Sequence, residues 1–256
     1  MSRAVLSLRT PNAYTAGVTA QDSPRIGRRE RLRAETTAEI LDAARRRLAT
    51  DGAEAVTLRA IARDLGTGAS SLYRYFASRD DLITALLVEA FDSQADAVAS
   101  AIREHADAAD ALRAALAVYR SWSLEHPTEF SLAYGTPLPG YRAPADRTIG
   151  PAVRVGGLVI DVITALWRDG RLSHDPLRHR DQILTQTERD DLEALARRRG
   201  YDTPVALLSL GVDVLVRIHG FVIMEVFGQL RPITTQPADA FHRTVDEALA
   251  SLGPGS

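Results

Sequence analysis

The stretch that decides the fold is residues 57–82, Thr57-Leu58-Arg59-Ala60-Ile61-Ala62-Arg63-Asp64-Leu65-Gly66-Thr67-Gly68-Ala69-Ser70-Ser71-Leu72-Tyr73-Arg74-Tyr75-Phe76-Ala77-Ser78-Arg79-Asp80-Asp81-Leu82. Thr57 is a helix-capping residue type, and Leu58, Ile61, Ala62 and Leu65 follow at i, i+3, i+4 and i+7, one apolar face. Gly66 ends this helix after about two turns. Beyond Gly66-Thr67-Gly68, a third short helix turns Ala69, Leu72 and Phe76 inward. Ser70, Ser71, Tyr73 and Arg74 are left pointing elsewhere, with Tyr75 at the margin. Ser78 caps the next helix, whose first turn carries Asp80 and Asp81, where the helix dipole favours acids. Two short helices, a tight glycine-containing turn and an outer face of hydroxyls, Tyr and Arg make a helix-turn-helix pattern.

Upstream, residues 29–50 are rich in Ala, Arg and Glu, carry Leu41, Ala44 and Leu48 on one face, and stop at Asp51-Gly52, which predicts a first helix. Arg45-Arg46-Arg47 reads as its solvated last turn. The polar residues 1–24 read as a disordered extension with no apolar run suited to a signal peptide.

Charge separates the two parts of the chain. The 256 residues hold 31 basic and 33 acidic side chains, and every basic one is Arg, since Lys does not occur. Residues 1–79 carry 14 Arg and 8 acids, a balance of +6, and residues 80–256 carry 17 Arg and 25 acids, a balance of −8. A basic N-terminal part is suited to an anionic partner and the acidic remainder is not. With no Cys, disulfides, thiolate nucleophiles and Cys-based zinc sites are excluded. The expected setting is the cytoplasm.

The remainder reads as helices. Leu82, Leu86 and Ala90 open a long one, and Leu112, Leu116 and Tyr119 mark another that ends at His126-Pro127. Residues 135–144 are expected to be loop, and residues 171–186 irregular and polar. Pro151 is expected at the first position of a helix closing at Gly170, Thr187 at the start of a charged helix closing at Gly200, and Pro237 at the start of a last helix closing at Gly253. Residues 204–230 are apolar enough to span a bilayer, but Asp213, Arg217, His219 and Glu225 favour a buried helix of a water-soluble protein, with no membrane partner. The expected fold is all-α, an N-terminal helix-turn-helix domain at 25–78 followed by a larger helical domain at 79–256.

The outward residues of the third helix suit DNA. Ser70 and Ser71 are small enough to approach base edges, Arg74 can fork onto a guanine or a phosphate, and Tyr73 and Tyr75 offer hydroxyls to the backbone. Arg79, at the start of the fourth helix, adds a charge beside amides suited to phosphate. The candidate DNA-contacting set is Thr57, Arg59, Thr67, Gly68, Ser70, Ser71, Tyr73, Arg74, Tyr75 and Arg79. Arg28 and Arg29, ahead of the first helix, can touch phosphates or a minor groove.

The strings Thr57 to Ala62, Leu65 to Phe76 and Ser78 to Leu82 resemble the DNA-binding domain of the tetracycline-repressor (TetR) family, over about residues 29–90. One departure is Arg79, where the family usually carries Lys. The resemblance implies a homodimeric transcription factor, most often a repressor, released from a palindromic double-stranded operator by a small-molecule inducer. It implies dimerisation through the last two long helices, here about 204–229 and 237–252, and the apolar run of the first of them makes Val216 and Val222 expected buried positions of that contact. Tyr119-x-x-Trp122, His126-Pro127-x-x-Phe130, Tyr134 and Ile218-His219-Gly220 are similar to the family's subgroup with a Trp-His-Gly C-terminal domain, Ile218 replacing the Trp. Tyr119, Trp122, Phe130, Tyr134, Trp167 and Phe221, with His219 as polar anchor, form a candidate ligand cavity, against the competing reading of ordinary core aromatics.

Other chemistries find little support. Gly66-Thr67-Gly68 lacks the third glycine and the preceding strand of a dinucleotide loop. His174 and His179 lack metal-ligand spacing, and no metal or cofactor is expected. The competing function is a helical small-molecule-binding protein or enzyme whose N-terminal helices only pack.

Overall fold

Twelve α-helices and one turn of 3-10 helix, with no strand, make up the described residues, 27–253, of the computed structural model. The expected disordered extension at 1–24 lies outside them. The described residues divide into two compact units: a head of residues 27–90 and 128–149, and a body of residues 91–127 and 150–253.

The head begins with α1 (Arg28–Asp51), followed by the 3-10 turn (Ala53–Ala55), α2 (Leu58–Asp64) and α3 (Ala69–Leu72). The periodic residues of the sequence converge here. Ile40, Ala44, Leu58, Ile61, Leu72, Phe76 and Leu82 form one buried cluster. Each of its large side chains contributes roughly 1.5–3 kcal/mol by leaving water. Thr57 caps α2, its Oγ1 accepting from the Ala60 amide at 3.2 Å. Gly66 adopts φ +63°, a conformation costly for any residue with a Cβ.

The head continues past the expected boundary at residue 78. It takes in residues 79–90 of α4 (Arg79–Arg103) and, from farther along the chain, most of α6 (Pro127–Tyr134), the loop after it and the start of α7 (Ala145–Ala152). Leu132 packs on the head's cluster. The Tyr141 hydroxyl shares a 2.9 Å hydrogen bond with Thr84 Oγ1, and Arg147 pairs with Asp81. Arg45 is not merely solvated: it pairs with Asp42, with Glu89 at 2.8 Å and with Glu129 at 3.3 Å. Arg47 forks onto Asp64, at 2.9 Å from Nε and 2.6 Å from Nη2. Arg45 and Arg47 reach Glu89, Glu129 and Asp64, carboxylates that sequence spacing does not reveal.

In the body, α5 (Ala108–Glu125) is capped by Asp107, whose Oδ1 accepts from the amides of Ala109 and Asp110 at 2.8 and 3.1 Å. It packs with α8 (Arg154–Arg168) and α11 (Val205–Val226), and α11 also contacts α9 (His174–Ile183), α10 (Gln186–Arg199) and α12 (Pro237–Ala250). A Cβ at Gly211 would lie 2.4 Å from Ile160 Cδ1, so a larger residue there would push the end of the Ile160 side chain aside. Arg120 on α5 forks onto Glu225 of α11 at 2.7 and 2.5 Å and lies 5.2 Å over the Phe241 ring of α12, which fastens three helices with one side chain.

Two expectations are corrected. Residues 171–186 contain α9: Ser173 caps it, Pro176 sits in a first turn that needs no amide donor, and Leu177 is buried. A single buried side chain in a polar helix leaves little periodicity to read. Pro151 lies inside α7 rather than opening a helix, and the chain breaks at Val153 before α8 starts. The charged helix starts close to expectation, with Thr185 and Glu188 in a reciprocal capping box and Gly200 closing it. Residues 145–168 and α11 are both long and apolar enough to cross a membrane by length and composition alone. Both contribute buried side chains to the packing described above.

Candidate nucleic-acid interface

The turn between α2 and α3 is held by its own hydroxyls. Ser71 Oγ donates to the Gly68 carbonyl at 2.6 Å and lies 3.0 Å from Thr67 Oγ1. Ser71 and Thr67 therefore shape the turn, a role that the reading of Ser71 as a base contact does not include. Gly68 has φ −75° and an ordinary contact of 3.7 Å at its Cβ position, so neither its conformation nor its surroundings demand glycine. Ser70, Tyr73, Arg74 and, on α2, Arg59 are exposed, with Tyr73 51% accessible despite its size. α3 itself is four residues long, and the chain continues as a turn through Tyr75.

Tyr75 is half-buried under Arg33 of α1, whose guanidinium lies 5.4 Å from the ring centroid and donates a long hydrogen bond, 3.4 Å, to the Arg74 carbonyl. Arg33 is a supporting residue that sequence reasoning missed, because nothing in a separation of 41 residues signals it. Arg79 has a different occupation from the expected phosphate contact. Its Nε donates to the Val56 carbonyl at 3.0 Å and its Nη2 to the Ala53 carbonyl at 2.8 Å. Its Nη1 lies 3.8 Å from Asp80. The amide of Asp81 at the head of α4 is already capped by Ser78 Oγ at 3.0 Å. Arg79 ties α4 to the connection between α1 and α2, and so positions α2 and the turn behind it.

The aromatic set of the sequence is distributed rather than gathered. Tyr119 shares a 2.6 Å hydrogen bond with Nδ1 of His219, whose imidazole is pushed below the ordinary histidine pKa by burial. Trp122 stacks on His126 at 4.7 Å and donates from Nε1 to Ser93 Oγ at 3.1 Å. Phe221 packs edge-on against Phe241. Trp167 is half-buried on α8, and Phe130, fully buried beside Tyr134, belongs to the head together with it. A cavity of about 460 Å³ in the body is lined by none of these.

Comparison with known proteins bears on both units. Residues 40–86 match the N-terminal model of the bacterial tetR regulatory family, and residues 112–248 match the tetracyclin-repressor-like C-terminal domain. The chain belongs to the TetR family. The HTH-type transcriptional regulator Rv1816 of Mycobacterium tuberculosis (strain ATCC 25618 / H37Rv) is 36% identical over 207 residues, 80% of this chain and 86% of that protein. The regulator Mb1846 of Mycobacterium bovis has the same identity and coverage. Among solved structures, the regulatory protein SCO4313 superimposes with a TM-score of 0.71 at 31% identity, over 89% of this chain and all of the other. The TetR family regulator PfmR from Thermus thermophilus shares the fold, with a TM-score of 0.51 at 19% identity, covering 85% of this chain and 99% of that one.

This TetR-family chain is therefore a helix-turn-helix transcriptional regulator and not an enzyme. The N-terminal match contains every candidate DNA-contacting residue, and the C-terminal match spans the aromatic set. On α11 the structure separates two positions that the sequence treats alike. Val222 is fully buried, whereas Val216 is 66% exposed, with Arg217 and Gly220 exposed near it.

Proposed function

We propose that this TetR-family regulator is a cytoplasmic homodimer that represses transcription from a palindromic operator and is released by a small molecule. The observation that carries the reading is the outward display of Ser70, Tyr73 and Arg74 on a turn whose internal bonds are satisfied by Thr67, Ser71 and Gly68. Side chains with no packing duty, in an N-terminal stretch that carries 14 Arg against 8 acids over residues 1–79, have the composition of a base- and phosphate-contacting face. Thr57 and Arg59 on α2 and Tyr75 flank that face, and Arg79 supports it from behind. For the dimer, the supporting observation is Val216, an exposed branched apolar side chain midway along the most apolar helix, beside a glycine that allows close approach.

The test is a fluorescence-anisotropy titration with the gene's own upstream DNA at several salt concentrations. Tight binding whose logarithm falls linearly with log salt is expected, with half-sites about one helical turn apart, roughly 34–36 Å. Tyr73→Ala should weaken binding on all sequences about equally, and Arg74→Ala should also relax base preference at one position of each half-site. Salt-independent or absent binding would defeat the reading.

A further inference from the structure

The outward residues Ser70, Tyr73 and Arg74 lie on a reading turn, residues 69–76, and the chain leaves that turn directly into α4, which opens at Arg79. The first turns of α4 are also where a later part of the chain attaches. Residues 135–149, the loop after α6 and the start of α7, belong to the head, although in sequence they lie between α5 and α8, both helices of the body.

Two side chains make the attachment. Arg147 pairs with Oδ1 of Asp81. The other oxygen of Asp81 accepts from the Ala77 amide at 3.3 Å, and the Asp81 amide donates to Ser78 Oγ at 3.0 Å. Asp81 therefore joins Arg147 to the backbone that leaves the reading turn. Thr84, on the same face of α4 at i+3, is buried, and its single hydroxyl proton goes to the Asp80 carbonyl at 2.7 Å. In its 2.9 Å bond with Tyr141 the tyrosine hydroxyl is then the donor. Arg79 ties the start of α4 to Ala53 and Val56, ahead of α2. The Arg147–Asp81 pair keeps 44% and 28% of its side-chain surface exposed, and pairs so exposed add little to the stability of a fold. Its position at the exit of the reading turn is what sets it apart.

We propose that Arg147, through Asp81, and Tyr141, through Thr84, are positioning residues for DNA binding. They hold the first turns of α4, and with them the exit of the reading turn, without touching DNA themselves. Where a turn is exchanged between a held and a released form, apparent affinity scales with the fraction held. A pair of this exposure shifts such an equilibrium by at most about fivefold, which bounds the effect of losing it. The proposal rests on the reading of Ser70, Tyr73 and Arg74 as the DNA-contacting face, and adds the residues that keep that face in place.

The experiment compares the full chain with Arg147→Gln, Arg147→Lys, Tyr141→Phe and a control of equal charge change, Arg142→Gln, at an exposed residue of the same segment. Anisotropy titrations with the upstream DNA are run over a range of salt. Arg147→Gln and Tyr141→Phe should each weaken binding about threefold to fivefold, with the salt slope and the circular-dichroism melt unchanged. Arg147→Lys, which keeps the pair, should bind within about twofold of the parent, and so should Arg142→Gln. Added to Asp81→Asn, Arg147→Gln should weaken binding no further. Without DNA, hydrogen exchange of amides 77–81 should quicken about threefold in Arg147→Gln and not in Arg142→Gln. A salt slope smaller by about one in Arg147→Gln would make that residue a phosphate contact and overturn the inference. Unchanged affinity, unchanged exchange, an equal loss in Arg142→Gln or a melt lowered in step with affinity would overturn it as well. The exchange measurement needs no DNA, so a parent that binds no DNA while Arg147→Gln loses protection would defeat the reading of the DNA face and uphold the brace.

Discussion

The head and the body are built from the same kind of element but differ in helix length and in how deeply their most buried polar pairs are set. In the head, α2 has seven residues and α3 four, and the ion pairs of Arg45 and Arg47 lie on the surface around a small apolar cluster. In the body, α11 has 22 residues, and two polar pairs are carried inward while others, such as Arg113–Asp246 and Arg168–Asp202, stay at the surface. Gln94 and Ser123, both buried, bond to each other, and the Arg120–Glu225 pair keeps only 18% and 9% of its side-chain surface exposed. Among the described residues no buried side-chain nitrogen or oxygen lacks a partner. A reading head needs donors and acceptors left for its partner, so its polar chemistry faces out and its stability rests on few residues. The two inward pairs of the body, Gln94–Ser123 and Arg120–Glu225, link α4 to α5 and α5 to α11, at the risk of a large penalty if one partner is lost.

The sharpest way to break this contrast is within one helix. Val222→Asp places an unpaired carboxylate at a site with no exposure and should unfold the body, giving insoluble chain or loss of the cooperative melt. Val216→Asp, at 66% exposure, should leave the fold within about 0.5 kcal/mol of the parent and convert dimer to monomer in analytical ultracentrifugation. A Val216→Asp dimer as tight as the parent would count against the proposed interface. Next in size, Glu225→Ala strands Arg120 and should cost about 3–5 kcal/mol in denaturant unfolding. The double variant Arg120→Met with Glu225→Leu should recover much of that loss. An equal loss in the double variant would show that packing, not the pair, holds the site.

A smaller effect separates two glycines of the head. Gly66→Ala, at φ +63°, should cost about 1–2 kcal/mol, whereas Gly68→Ala, at φ −75°, should leave stability almost unchanged. Comparable losses at both positions would mean that the turn is constrained by something other than its backbone. The smallest effect is a pH dependence of the body. Burial lowers the His219 pKa in the folded chain below the value of about 6.5 in the unfolded one. The unfolded state then binds more protons, so this contribution to stability is present above about pH 6.5 and is lost as pH falls from there through the folded value. Thermal melts between pH 7 and 5 should show a slope that His219→Gln reduces.

Legibility differed between the two units for a physical reason. The head's cluster was readable because Leu58, Ile61 and Leu72 repeat at helical spacing within a few turns, and its caps and Gly66 act on neighbours in the chain. The same local logic located α5, α10, α11 and α12. It missed α9, whose face is made by one leucine, and it missed the supporting cations. Arg33 reaches Tyr75, Arg79 reaches Ala53 and Val56, and Arg45 reaches Glu129 across separations at which periodicity carries no information. The aromatic residues were identifiable by type, but type does not say whether rings line a space or fill one.

By itself the sequence determined the helical class, the helix-turn-helix at 57–76 and the family, because these depend on residues within a few positions of each other and on a strongly patterned string. Tertiary structure decided which surfaces are open. It assigned residues 128–149 to the head, turned Arg79 inward, placed Val216 outside and Val222 inside, and set a cavity on Leu112, Arg171 and Leu252 rather than on the aromatic rings. Each of these turns on contacts between helices far apart in the chain. Helical period specifies the face of one helix and leaves open which other helix covers it.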